Sequence, residues 1–144
     1  MTLYDDIYNR FLRKIEDPDL ARLNEEDQYE LLDGWLDEAV SLLILEGLTI
    51  ESDLEERDSD SRAFVADLKT YEKEILSMLM AAAWYTPRIN SIENTSFIIG
   101  TNSEKWTSQK DFHSMMTDSR DYWIIQAKKL LRDISTRNNS YLND

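Results

Sequence analysis

The run Glu74-Ile-Leu-Ser-Met-Leu-Met-Ala-Ala-Ala-Trp-Tyr85 is the only long stretch of the chain that is apolar on almost every side. Ala, Leu and Met are strong helix formers, and no glycine interrupts them. A helix apolar all round must be covered on more than one side. In a chain of 144 residues it becomes the pillar on which everything else packs, and it falls short of the ~18–20 apolar residues that span a bilayer. Thr70 is the expected N-cap, with Glu72 and Glu74 near the positive end of the helix dipole. Pro87 is expected to stop or kink the helix, because the residue before a proline is biased away from helical angles. Residues 88–92 then form a kinked extension.

Three further helices are expected to cover the pillar. Tyr4, Ile7, Tyr8, Phe11, Leu12 and Ile15 form one apolar stripe over Thr2–Glu16. Thr2 with Asp5 resembles a capping pair, and Asp17-Pro18 ends the helix. Arg10, Arg13 and Lys14 make its outer face basic, either as favourable charge near the helix C-terminus or as a surface for an acidic partner. After a connector at Asp19–Leu23, Asn24 caps a second helix bearing Leu32, Trp35, Leu36, Ala39, Val40 and Leu43. Gly34 inside it either admits another backbone or is tolerated, and Gly47 is its natural stop. The last helix runs from about Ser108, paired with Asp111 as a capping box, to Arg137. Its stripe is Phe112, Met115, Met116, Ser119, Trp123, Ala127, Leu130, Leu131 and Ile134. At roughly 40 Å it outruns the pillar, so one end projects. Phe11, Trp35, Leu36, Ile75, Met78, Leu79, Trp84 and Trp123 are the predicted core.

Two long loops complete the pattern. Leu48–Arg62 has no helical period and carries Glu51, Asp53, Glu55, Glu56, Asp58 and Asp60. Asp58-Ser-Asp-Ser-Arg62 resembles the start of a calcium loop but lacks the glycine at the sixth position and the glutamate at the twelfth. Ala63–Leu68 reads as a short extended piece that needs a strand partner, with Ser96–Ile99 as the candidate. Asn94–Ser108 is the second loop, with Trp106 among polar residues as either a partner hot spot or a side chain folded back on the domain. The expected architecture is mostly α. It is a compact bundle of about four helices over residues 1–137, with two long loops, a short strand or hairpin, and a flexible tail over 138–144.

The formal charge of −13 argues against non-specific attraction to nucleic acid or anionic membranes. Most of it reads as solvated surface. No basic n-region or apolar h-region opens the sequence, so no secretory signal is expected. The absence of Cys excludes disulfides, thiolate metal sites and a Cys nucleophile. His113 is the only histidine and reads as a helical surface residue. No nucleophile triad, phosphate loop, zinc spacing or inward Glu-x-x-His pair is present. The methionines Met78, Met80, Met115 and Met116 read as core filling. The expectation is a protein with no enzymatic activity, cofactor or metal.

Tyr8-Asn-Arg-Phe-Leu-Arg-Lys-Ile-Glu-Asp17, Leu31-Leu-Asp-Gly-Trp-Leu-Asp-Glu-Ala39, Phe64–Leu68 followed by Glu74–Met80, Trp84-Tyr-Thr-Pro-Arg-Ile-Asn-Ser91 and Leu130-Leu-Arg-Asp-Ile-Ser-Thr-Arg137 occur in this order. In order and general texture, over nearly the whole chain, they resemble the head–tail connector (adaptor, or head-completion) proteins of tailed phages of Gram-positive hosts. The resemblance implies a helical subunit made in the host cytoplasm and built into the virion neck. Copies form a twelvefold ring under the portal protein. The ring extends the DNA channel without sequence-specific binding and receives the next connector or tail component. It implies portal docking through the C-terminal segment, here Leu130, Leu131, Arg132, Ile134, Arg137, Tyr141 and Leu142. Ring or next-component contacts are expected from Glu51, Asp53, Glu55, Glu56, Asp58, Asp60 and Trp106. The rival expectation is an acidic inhibitor or DNA mimic of a nucleic-acid enzyme. It has the net charge in its favour and the basic helix faces against it.

Overall fold

The computed structural model describes residues 1–99 and 103–142, with side chains for 1–92 and 110–138. The order of elements is β1 (Thr2–Leu3), α1 (Tyr4–Leu12), α2 (Pro18–Arg22), α3 (Glu25–Leu45), β2 (Arg57–Asp58), β3 (Ala63–Phe64), α4 (Thr70–Ile99) and α5 (Ser103–Leu142). The fold is a mostly helical bundle with one small sheet.

The pillar is α4. Ile75, Leu76, Leu79, Met80, Ala81 and Ala82 are fully buried, because α1, α3 and α5 all pack on it. Each large aliphatic side chain buried this way contributes about 1.5–3 kcal/mol. α1 supplies Ile7, Tyr8 and Phe11, and α3 supplies Leu32, Leu36, Ala39 and Leu43. α5 buries Ala127 completely and leans Trp123, Ile124, Leu130 and Leu131 on the cluster. Of the predicted core, Phe11, Leu36, Ile75, Leu79 and Trp84 are buried, while Trp35, Met78 and Trp123 sit partly buried at its margin.

Asn24 caps α3 as expected, its side chain accepting from Asp27 N at 2.8 Å. Gly47 adopts φ +70° just past the end of α3, a left-handed turn that a side chain resists. A Cβ on Gly34 would meet nothing within 4 Å, so no backbone approaches there.

Several local expectations give way to long-range partners. Thr2 is not a helix cap. It lies in β1, where its hydroxyl donates to Ala66 O (2.9 Å) and accepts from Leu68 N (2.8 Å). α1 ends at Leu12, and the expected connector is the short helix α2, capped by Asp17. β3 pairs antiparallel with β1 and β2, not with Ser96–Ile99, which are helical. Thr70 is the first helical residue of α4; the reach-back comes from Glu72, which accepts from Lys69 N at 2.8 Å. Pro87 lies inside α4 and does not stop it; the expected extension over 88–92 is helical and runs on to Ile99. Of the expected second loop, residues 94–99 continue α4 and 103–108 begin α5, so Ser108 is helical backbone rather than a cap; residues 100–102 lie outside the described residues. The helix α5 also continues through Leu142, into the segment read as an extended tail.

Candidate interaction surfaces

The acidic loop between α3 and β2 is held from below by a buried carboxylate. Glu72, fully buried in the first turn of α4, accepts from Ser52 N (3.1 Å), Ser52 Oγ (2.7 Å) and Lys69 N (2.8 Å). Leu54, from the same loop, is buried in the core cluster. Part of the loop's own acidity is spent on its turns. Asp53 Oδ1 accepts from Glu55 N at 2.8 Å, and Asp58 Oδ1 accepts from Asp60 N and Ser61 N at 3.1 and 3.2 Å. Such bonds let a short carboxylate side chain fix a turn. Asp58 thus closes the β2–β3 hairpin. Glu51 pairs with Lys69 at 2.9 Å. Glu55, Glu56 and Asp60 remain exposed, and no ion pair joins them among the described residues.

A second network fastens the hairpin to the bundle. Tyr8 donates its hydroxyl to Asp33, and Arg62 grips the same carboxylate with both terminal nitrogens. The Arg62 guanidinium lies 4.3 Å over the Tyr29 ring, and Arg57 lies 5.0 Å over Phe64 while pairing with Asp37 at 2.7 Å. Burial first, then the Asp33 carboxylate, raises the Tyr8 phenol far above its ordinary range. Tyr4, Tyr8, Asp33, Asp37, Arg57 and Arg62 surround a recess of about 300 Å³. Its charged groups are matched to one another, so it reads as a structural clasp.

The basic face expected on α1 is largely internal. Arg10 and Lys14 both reach Glu74 on α4, at 2.9 and 3.2 Å, leaving Arg13 exposed. Burial alone would raise the Glu74 carboxyl, but the two cations outweigh it and hold it below its usual range. Asp17 behaves alike. Burial opposes its charge, yet hydrogen bonds from Trp84 Nε1 (2.9 Å) and Leu20 N (3.1 Å), with Arg88 at 3.0 Å, depress its pKa.

The helix α5 has two ends and an outer face to account for. Of the residues implied in portal docking, Leu130 and Leu131 pack on the core, Ile134 is half-buried, and Arg132 and Arg137 are exposed. The side chains of Tyr141, Leu142 and Trp106 lie outside the described residues, although their backbone is helical. Lys128 is tied to Glu46 at 2.7 Å. His113 is half-buried and not simply a surface residue. Met80 fills the core, but Met115 is 57% exposed. Met115 borders an open groove of about 660 Å³ with Lys14, Tyr85, Asp118, Tyr122 and Trp123.

No family model, characterised protein or solved structure matches the chain. Among the described residues no group of three or more His, Cys, Asp or Glu is placed to hold a metal ion. No helix among them is long and apolar enough to cross a membrane. Sequence reasoning missed the exposed pair Ile44 and Leu45 at the end of α3, and Tyr122 and Ile125 on α5. The signal was there for the second pair. Met115, Tyr122 and Ile125 are spaced by seven and three residues, which keeps them on the side of α5 away from Ala127.

Proposed function

We propose that the chain is a structural subunit of the tailed-phage neck: a head–tail connector that joins copies of itself in a ring under the portal, extends the DNA channel and receives the next component. The observation that carries the reading, beside the resemblance in segment order, is the overhang of α5. With 40 residues against 30 in α4, α5 is about 15 Å longer at 1.5 Å per residue. Because the two helices follow one another across residues 100–102, the surplus falls at the far end, past the start of α4. That end carries Arg132 and Arg137 and the Tyr141–Leu142 pair, the segment that the resemblance assigns to the portal.

A ring needs two unlike faces on each subunit. The exposed aliphatic pair Ile44 and Leu45 and the carboxylates Glu55, Glu56 and Asp60 supply surface of both kinds. An acidic channel wall would also let DNA slide, since binding to phosphates depends on cations.

The test is electron microscopy of purified portal mixed with this protein, alongside a variant ending at Ile134. The full chain is expected to add a ring of density beneath the portal. The shortened chain is expected to keep its helical circular dichroism and leave the portal bare. A virion that is complete and infectious without the protein would refute the assignment.

A further inference from the structure

The outer face of α5 is organised in a way that bundle packing does not require. Met115, Asp118, Tyr122, Ile125, Lys129 and Arg132 follow one another at intervals of three, four, three, four and three. That is the spacing of a coiled-coil seam; it runs on the side of the helix away from the buried Ala127, and Met115, Asp118 and Tyr122 also rim the open groove beside Lys14 and Tyr85. Met115, Tyr122 and Ile125 are 57%, 51% and 58% exposed, and Asp118, Lys129 and Arg132 are exposed too. A half-solvated row of a thioether, a phenol ring and a branched aliphatic suits a surface that something covers.

The charges along the row say what covers it. Its first half carries Asp111 and Asp118, its second half Lys129 and Arg132. Among the described residues none of these four has an ion pair. We propose that this face is a two-fold contact on which a second copy of the same chain docks with its α5 antiparallel. One register sets Asp111 opposite Lys129, Met115 opposite Ile125 and Asp118 opposite the Tyr122 hydroxyl. The symmetry axis makes each pairing twice. A parallel pairing would instead set Asp111 on Asp111 and Lys129 on Lys129, which is unfavourable. In a chain of charge −13, self-association needs such a local match to overcome the general repulsion.

This contact does not rest on the connector reading. A two-fold interface closes on two copies and cannot propagate into a ring. It therefore belongs to the free protein, and any ring is built from other surfaces.

The chain has no cysteine, so introduced thiols report geometry cleanly. Purified M115C and I125C proteins are mixed and oxidised. The expected product is the mixed 115–125 disulfide, several-fold in excess of either homodimer. In the proposed register the two copies of residue 115 stand about 15 Å apart along the axis, outside disulfide reach. Dominance of the 115–115 product, or no cross-linked dimer, overturns the proposal. Sedimentation equilibrium supplies the second readout. D111K is expected to weaken the dimer about tenfold or more, and D111K/K129D to restore it, with unchanged circular dichroism in both. A D111K protein that dimerises like the parent, or a double variant that fails to recover, also overturns it. Absence of the protein from virions would refute the connector reading and leave these outcomes untouched.

Discussion

Replacing Glu72 by alanine tests whether one buried carboxylate holds the acidic loop in place. Glu72 is fully buried and receives three hydrogen bonds, two from Ser52 and one from Lys69 N. A hydrogen bond to a charged group contributes about 1.5–3 kcal/mol net, and a buried donor left unpaired costs about 1–3 kcal/mol. Three bonds converging on one group do not add in full, and water entering the vacated space re-satisfies part of the set. Alanine recovers a few tenths of a kcal/mol in helix propensity, while the lost negative charge in the first turn costs about 0.3–1 kcal/mol. The net is a destabilisation of about 3 kcal/mol, a large share of the ~5–15 kcal/mol typical of a domain.

Urea unfolding followed by tryptophan fluorescence measures it. With a slope of about 2 kcal/mol/M the midpoint falls by ~1.5 M. Glu72→Gln keeps one oxygen for Lys69 N and Ser52 Oγ but turns an NH2 toward Ser52 N. It should lie between the parent and Glu72→Ala, at about 1–2 kcal/mol. Amide exchange at Ser52 should accelerate in both variants. If Glu72→Ala unfolds within about 0.5 kcal/mol of the parent, in the range of ordinary surface substitutions, the loop is held by something other than this carboxylate.

The two described glycines should respond with opposite signs. Gly34→Ala, inside α3 with open space around the new methyl group, is expected to stabilise by about 0.5–1 kcal/mol, whereas Gly47→Ala, at φ +70°, is expected to cost about 1–2 kcal/mol; thermal unfolding of both decides. Acid should weaken the fold through Asp17 and Glu74, whose carboxyls both sit below their ordinary values of 3.8 and 4.5. A depressed carboxylate stabilises the folded chain above its unfolded pKa and loses that contribution as pH falls through the folded value. Stability should therefore drop from about pH 4.5 downward, and D17N should flatten part of that slope in urea titrations at several pH values.

Much of the bundle was legible because its signals are local. The 3.6-residue spacing of Leu32, Leu36, Ala39 and Leu43, the Asn24 cap and the Gly47 stop all act within one helix. The uniformly apolar Ile75–Ala83 run could only be a helix covered from several sides. What escaped depends on distant partners. Thr2 looks like a cap until Ala66 and Leu68 are folded against it. Two-residue strands such as β1 and β2 are too short to carry an alternating period. Pro87 costs a helix interior about 3 kcal/mol, yet the packing of α5 along α4 keeps the helix going. Polar and β-branched residues around 94–99 read as loop for the same reason: propensity is a weak prior that tertiary contacts override. Among the surfaces, the acidic loop was visible as charge. The consumption of Arg10 and Lys14 by Glu74 was not, because the two partners are far apart in sequence.

Proline at position 87 has no N–H to offer the carbonyl of Ala83, so the hydrogen-bonded ladder of α4 lacks a rung there. The next residue's side chain binds one carbonyl further on. Arg88 donates to Trp84 O at 2.7 Å, stacks on the Trp84 ring at 3.5 Å and reaches Asp17, the cap of α2. The helix is thus tied to the start of α2 through Asp17, Trp84 and Arg88, at the level where its own ladder is one hydrogen bond short.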